Sequence, residues 1–194
     1  MNELILESIK NSILCKQRLL EDQDSISKIE TIANKIVAAL KNNKRIYFCG
    51  NGGSAADAQH LAAELSGRFY KNRPALPAEA LHCNTSYLTA IANDYSYDVV
   101  YQRLIAGIAQ EGDVLIGLST SGNSKNIVLA IEEANKKNLV TIGLTGANGG
   151  LLKNLCSYWI GVASDDTPRI QESHILIGHI FCQLVEENYF NAAT

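Results

Sequence analysis

His60 and Glu64 stand four residues apart, so on a helix they share one face. An imidazole and a carboxylate in that relation can share a metal ion. Alternatively the carboxylate can serve as a general base. An isolated His-x-x-x-Glu is more often a solvated helix face. The stretch in front of this one changes the weighing: Phe48-Cys49-Gly50-Asn51-Gly52-Gly53-Ser54 runs straight into it. Ile46 to Cys49 reads as a buried strand, and Gly-Asn-Gly-Gly as a tight turn that only glycine crosses cheaply. Ser54 is placed to cap the helix that follows. A new helix N-terminus offers unpaired N–H groups to an anion. An anion seat and an acid–base or metal pair are thus expected on one element.

A second cluster has the same logic. Ser119-Thr120-Ser121-Gly122-Asn123-Ser124 places four hydroxyls and a glycine in six positions between an apolar strand and a helix start. Hydroxyls and helix N–H groups can bind a phosphate by hydrogen bonds and dipole without a lysine. The Gly-Lys-Ser/Thr ending of a Walker loop is missing, and the Gly50 turn does not fit Gly-x-Gly-x-x-Gly. The plain alternative is a Ser/Thr-rich turn that only caps a helix. His174 reads as a surface or satisfied histidine, and His82 carries little signal.

The elements that must position these residues alternate. Residues 1–42 carry two helices, with Leu4, Ile5, Ile9, Ile13 and Leu14 on the first and Ile26, Ile29, Ile32, Ile36, Val37 and Leu40 on the second. Their apolar stripes must cover the sheet or pair with another chain. Past Glu64, residues 67–74 read as loop, stopped by Pro74 and Pro77. A short strand is expected at Glu79–Leu81, then helices at Thr85–Ala92 and 98–110. Strands follow at Val114–Leu118, Val140–Leu144 and Tyr158–Val162. Helices follow these at Lys125–Lys137, after Gly150, and at Gln171–Glu187. Five strands alternating with helices predict an α/β fold, a parallel sheet with helices on both faces plus two N-terminal helices. Ligands in such sheets sit past the carboxyl ends of the strands, where the polar turns at Gly50–Ser54, Ser119–Ser124 and Thr145–Gly150 fall.

Composition narrows the class. The chain has 194 residues, 46% hydrophobic and 19% charged, which suits one globular domain. A net charge of −3 gives no electrostatic reason to expect nucleic acid. Asn2, Glu3 and Glu7 break any N-terminal signal, and no apolar run approaches the ~20 residues of a membrane span. The five cysteines, Cys15, Cys49, Cys83, Cys156 and Cys182, are scattered, which suits free thiols in a reducing cytoplasm.

Together these residues resemble the SIS (sugar isomerase) domain family, and within it the phosphoheptose isomerases. The pieces that carry the resemblance are Cys49-Gly-Asn-Gly-Gly-Ser54, His60-x-x-x-Glu64-Leu-x-Gly-Arg68 and Asn72-Arg-Pro74. Asn93-Asp94, Glu111-Gly-Asp-Val-Leu115 and Ser119 to Ser124 continue it, and Arg169-Ile-Gln-Glu172 with His174 and His179 closes it. The resemblance implies a three-layer SIS fold over 45–194 behind a helical extension, 1–44, used in oligomer packing. It implies that Asn51, Gly52, Gly53, Ser54, Ser119, Thr120, Ser121 and Ser124 hold a sugar phosphate, with Asn93, Asp94, Glu64 and Gln171 also in the substrate site. His60, Glu64, Gln171 and His179 match the family's zinc ligands, one divalent ion per subunit. Glu64 and His179 match its acid–base pair. The implied activity converts sedoheptulose 7-phosphate to D-glycero-D-manno-heptose 7-phosphate through an enediol, in the cytoplasm, for lipopolysaccharide or capsule heptose. The implied assembly is a homotetramer, with no nucleic-acid or membrane partner. The competing reading is a non-catalytic SIS tetramer that binds the replication initiator DnaA. Gln171 and His179 lie eight residues apart, ~12 Å of rise on one straight helix. Both reach one ion only if Gln171 precedes the regular helix or if chains share ligands. Thr167-Pro168 stands before Arg169 where some family members carry an acidic residue.

Overall fold

The structure, a computed structural model, describes residues 2–191. Strands β1 (Ile46–Cys49), β2 (Ala78–Ala80), β3 (Val114–Leu118), β4 (Val140–Gly146) and β5 (Tyr158–Val162) form one sheet in the order β2-β1-β3-β4-β5. Every neighbouring pair is parallel, with Phe48 opposite both Ala80 and Ile116. The chain moves from β1 to one edge and then returns to β3 on the other side of β1. That reversal opens a crevice between the carboxyl ends of β1 and β3, where parallel sheets bind ligands.

The two faces follow from the two-residue period of a strand. Ile46, Phe48, Val114, Ile116 and Leu118 point to one layer, built from α2 (Gln23–Lys41), α3 (Gly53–Ser66) and α8 (Thr167–Phe190). Tyr47, Cys49 and Leu115 point to the other, built from α5 (Val100–Ile108), α6 (Lys125–Lys136) and the short α7 (Leu152–Leu155). Strands covered on both sides read as unbroken apolar runs, and β1 and β3 are buried at every position.

Three elements depart from the sequence expectation. Helix α8 starts at Thr167 rather than Gln171, because Pro168 sits in the first turn, where its missing N–H costs nothing. Ser54 does not cap α3: the helix starts one residue earlier, behind Gly52 at a φ of 55°, and Ser54 is buried in its first turn. Helix α4 (Thr85–Asp94) runs on to include Asn93 and Asp94. The two N-terminal helices also part company. Helix α2 buries Ile29, Ile32, Ile36 and Leu40 in the core, whereas α1 (Glu3–Glu21) leaves most of its apolar residues exposed.

Candidate active site

Helices α3 and α8 cross at Gly178, where a β-carbon would meet the Leu61 side chain at 2.3 Å. That close approach sets the residue after Gly178 beside the face of α3 carrying His60 and Glu64. His60 Nε2 lies 2.9 Å from His179 Nε2 and 3.2 Å from a Glu64 carboxylate oxygen. His60, Glu64 and His179 can each present one ligand atom within 4.8 Å of the others. The group is open on one side, since the His60 side chain is 51% exposed and that of Glu64 23%. The Phe69 ring stacks on His179 at 5.6 Å between centroids. Burial, with the nearby His60, pushes the His179 pKa below that of a free imidazole, against the pull of Glu64.

A buried ion pair ties this seam together. Arg73 Nε donates to Glu186 at 2.8 Å, and the side chains are only 3% and 1% exposed. The Arg73 guanidinium also donates to the carbonyls of Glu64 and Leu65, and Glu186 accepts the N–H groups of Phe69, Tyr70 and Lys71. Burial alone would raise the Glu186 carboxyl, but these donors outweigh it and hold it below the usual carboxylate range. Arg73 lies inside the Asn72-Arg-Pro74 motif. Glu186 carried no sequence signal, because its partners are more than a hundred residues away.

The anion seat forms at the β1/β3 reversal. A cavity of about 350 Å³ is lined by Asn51, Gly52, Gly53, Ser54, Ser119, Thr120, Ser124, Thr167 and Gln171. Gly50 is required there, since a β-carbon would fall 2.3 Å from the Ser54 carbonyl oxygen. Tyr101 Oη donates to the Gly50 carbonyl at 2.7 Å. The Asn51 carboxamide exchanges two hydrogen bonds with Asn126, joining the turn after β1 to the start of α6. Ser124 makes no capping bond. Its hydroxyl meets that of Ser119 at 2.9 Å, which leaves both at the cavity. Among the described residues no lysine or arginine lines it. Negative charge would be held by hydroxyls and by the N-termini of α3 and α6. Tyr101 and Asn126 were not singled out from sequence; each is recognisable only once the turns are brought together.

Not every expected residue joins these two sites. Ser121 is absent from the lining of the anion cavity and instead lines a neighbouring one of about 310 Å³. It is held there by the Asn123 N–H, which it accepts at 3.1 Å. Asn93 and Asp94 lie exposed at the end of α4, bonded to each other at 2.9 Å, outside the anion cavity. Gln171 belongs to the anion cavity, with its carboxamide 2.6 Å from where a Gly53 β-carbon would stand. It lies within α8, so the option that it precedes the regular helix is removed. On one helix it stands ~12 Å of rise from His179.

The His60, Glu64 and His179 donors fit a zinc ion. Two imidazole nitrogens and a carboxylate with one open side are the ligand set of catalytic zinc. Separations of 2.9 and 3.2 Å are close to the ~3.3 Å edge expected of tetrahedral ligands at ~2.0–2.1 Å from the ion.

Comparison with known proteins gives the family. The SIS domain profile matches residues 10–146. A phosphoheptose isomerase of Nitratiruptor sp. is 53% identical over 187 residues, covering 95% of this chain and all of that protein. One from Aneurinibacillus thermoaerophilus is 50% identical over 190 residues, covering 98% of this chain and 96% of that protein. The solved structure of a phosphoheptose isomerase from Francisella tularensis superposes with a TM-score of 0.91 at 34% identity, covering 96% of this chain and all of that one.

Proposed function

This chain belongs to the phosphoheptose isomerases of the SIS domain family, and on that premise we propose that it interconverts sedoheptulose 7-phosphate and D-glycero-D-manno-heptose 7-phosphate. The observation that carries the reading is the meeting of Glu64 and His179 across the α3/α8 seam, at the other end of α3 from an anion cavity. Moving a carbonyl between C2 and C1 requires one proton to leave C1 and one to reach C2. A single carboxylate, Glu64, can take the first and return it to the adjacent carbon. The oxygens must exchange a proton in the same sense, O1 losing one and O2 gaining one, which suits His179, a neutral imidazole near pH 7. Ser119, Thr120, Ser124 and the Asn51–Ser54 turn hold the phosphate end; since that cavity lies ~16 Å of rise from Glu64 along α3, the Glu64 and His179 that face the reacting carbons would come from a second chain. Gln171, at the same cavity, is assigned to the substrate. Asn93 and Asp94 would reach the sugar hydroxyls from another subunit, and Ser121 would contribute from the adjoining cavity.

His60, Glu64 and His179 would hold one zinc ion per subunit, whose charge would stabilise the developing enediolate. A Gln171 ligand to that ion would have to come from a second chain. His179 cannot be ligand and proton carrier through the same Nε2 at once, so the two roles are separable by removing metal. We further propose a cytoplasmic homotetramer packed through residues 1–44, supplying heptose for lipopolysaccharide or capsule.

The test is incubation of the purified protein with sedoheptulose 7-phosphate, with and without a chelator, following the aldose. Aldose formation supports the reading. Binding of the sugar phosphate with no aldose under either condition overturns it. Turnover that survives the chelator assigns His179 to proton transfer and removes zinc from the reaction.

A further inference from the structure

We propose that Arg73 and Glu186 are positioning residues of this reaction: their buried pair straps residues 67–74 across the α3/α8 seam and so fixes Glu64, Phe69 and His179 relative to one another. The inference rests on the assignment of Glu64 and His179 as the proton-transfer pair.

Arg73 spreads its fork over the end of α3. Nη2 donates to the Glu64 carbonyl at 2.8 Å, and Nη1 to Leu65 at 2.7 Å. The Nε–H bond to Glu186 reaches α8 at a position seven residues, two turns, beyond His179 and on the same face. The second arm runs through Glu186, which accepts three successive N–H groups, those of Phe69, Tyr70 and Lys71, each at 2.9 Å. The first of these carries the ring stacked on His179. One pair therefore touches the backbone of the proposed base and the helix of its partner, and it also holds the residue packed on that partner's ring.

Stability alone does not account for such a pair. The carbonyls at a helix end can be satisfied by water, and replacing a buried ion pair by a well-packed apolar pair of the same volume often costs a protein no stability. What an apolar pair cannot do is fix direction at several points. Proton transfer needs that, because a misplacement of ~1 Å at the reacting groups can cost ~100-fold in rate.

The experiment compares Glu186→Gln and Arg73→Lys with Lys71→Ala. Lys71 lies on the same strap, but its side chain bonds only to Glu187 and Asn191 at the end of α8, and to neither Arg73 nor Glu186, among the described residues. Folding is checked by circular dichroism and thermal melting, then kcat and KM are measured with sedoheptulose 7-phosphate. Glu186→Gln and Arg73→Lys are expected to lose about 10- to 100-fold in kcat with KM within about twofold, because the anion cavity lies at the far end of α3, eleven residues or ~16 Å of rise away. Lys71→Ala is expected to match wild type. Phe69→Leu leaves the ion pair's partners in place and removes the ring from His179; it is expected to lower kcat in a folded variant, with a modest drop in melting because Phe69 packs against the core. Wild-type kcat in a folded Glu186→Gln or Arg73→Lys variant overturns the inference, as does a loss that appears in KM instead. Should neither variant fold, an unchanged kcat in Phe69→Leu overturns it. Glu64→Gln in the same assay separates the two layers. Turnover there removes the parent assignment; no turnover there with normal strap variants removes only this one.

Discussion

Single side chains make the sharpest claims. Replacing Glu64 by glutamine keeps its volume and removes its ability to take a proton. Turnover should fall by about 10²- to 10⁴-fold while calorimetric binding of sedoheptulose 7-phosphate persists, and near-normal turnover would remove Glu64 from the chemistry. His174 makes a different claim. It is fully buried, with Nε2 3.0 Å from the Thr145 carbonyl and Nδ1 without a partner among the described residues. Burial lowers its pKa to about 4, only partly opposed by the bond to Thr145. The unfolded chain then binds the proton first, so stability is intact above pH ~6.5 and is lost as the pH falls from there towards 4. The loss amounts to roughly 3 kcal/mol at about 1.4 per unit. Urea unfolding between pH 7 and 4.5 should show that slope in the wild type and a flatter line in His174→Gln. The sequence left His174 as surface or satisfied because its spacing on α8 does not say which side faces β4.

Elements decide whether those side chains meet. The turn after β1 was legible because glycine and serine mark it. The structure adds why Gly50 is needed: a β-carbon would collide with backbone, which cannot move aside as a side chain can. Gly50→Ala should therefore disturb the Asn51–Ser54 turn and raise KM for the sugar phosphate at least tenfold, with a smaller effect on kcat. Unchanged KM would place the phosphate elsewhere. The start of α8 was less legible. Proline reads equally as a stop and as a first-turn residue, and only the structure distinguishes the two at Pro168. Ser121 lines the adjoining cavity rather than the anion cavity, while Thr120 lines both, a division that composition does not reveal. Glu186 was invisible because nothing local requires it; it answers groups 113 to 117 residues away.

For the whole molecule, alternation of strands and helices gave the class, but the strand order came only from the folded chain. No described helix is long and apolar enough to cross a membrane. One surface stays unexplained within a single chain. Helix α1 is attached to its own chain largely by polar bonds: Ser12 to Glu172, Arg169 to the Ser8 carbonyl and Arg18 to the Ala163 carbonyl. Its apolar side chains face out, with Leu4 69%, Ile5 56%, Ile9 53% and Ile13 58% exposed. A helix that ends in water shows the reverse arrangement. Covering the exposed part of four such side chains, a little over half of each, is worth on the order of 4 to 7 kcal/mol before ordering costs, enough to favour association of folded chains. The expected outcome is that the wild type sediments as four chains and that Ile5→Glu with Ile9→Glu sediments as two or one. The monomer fold of the double variant should survive, since neither side chain belongs to the core. A wild type that sediments as a single chain, or a double variant with unchanged mass, would leave α1 without this role.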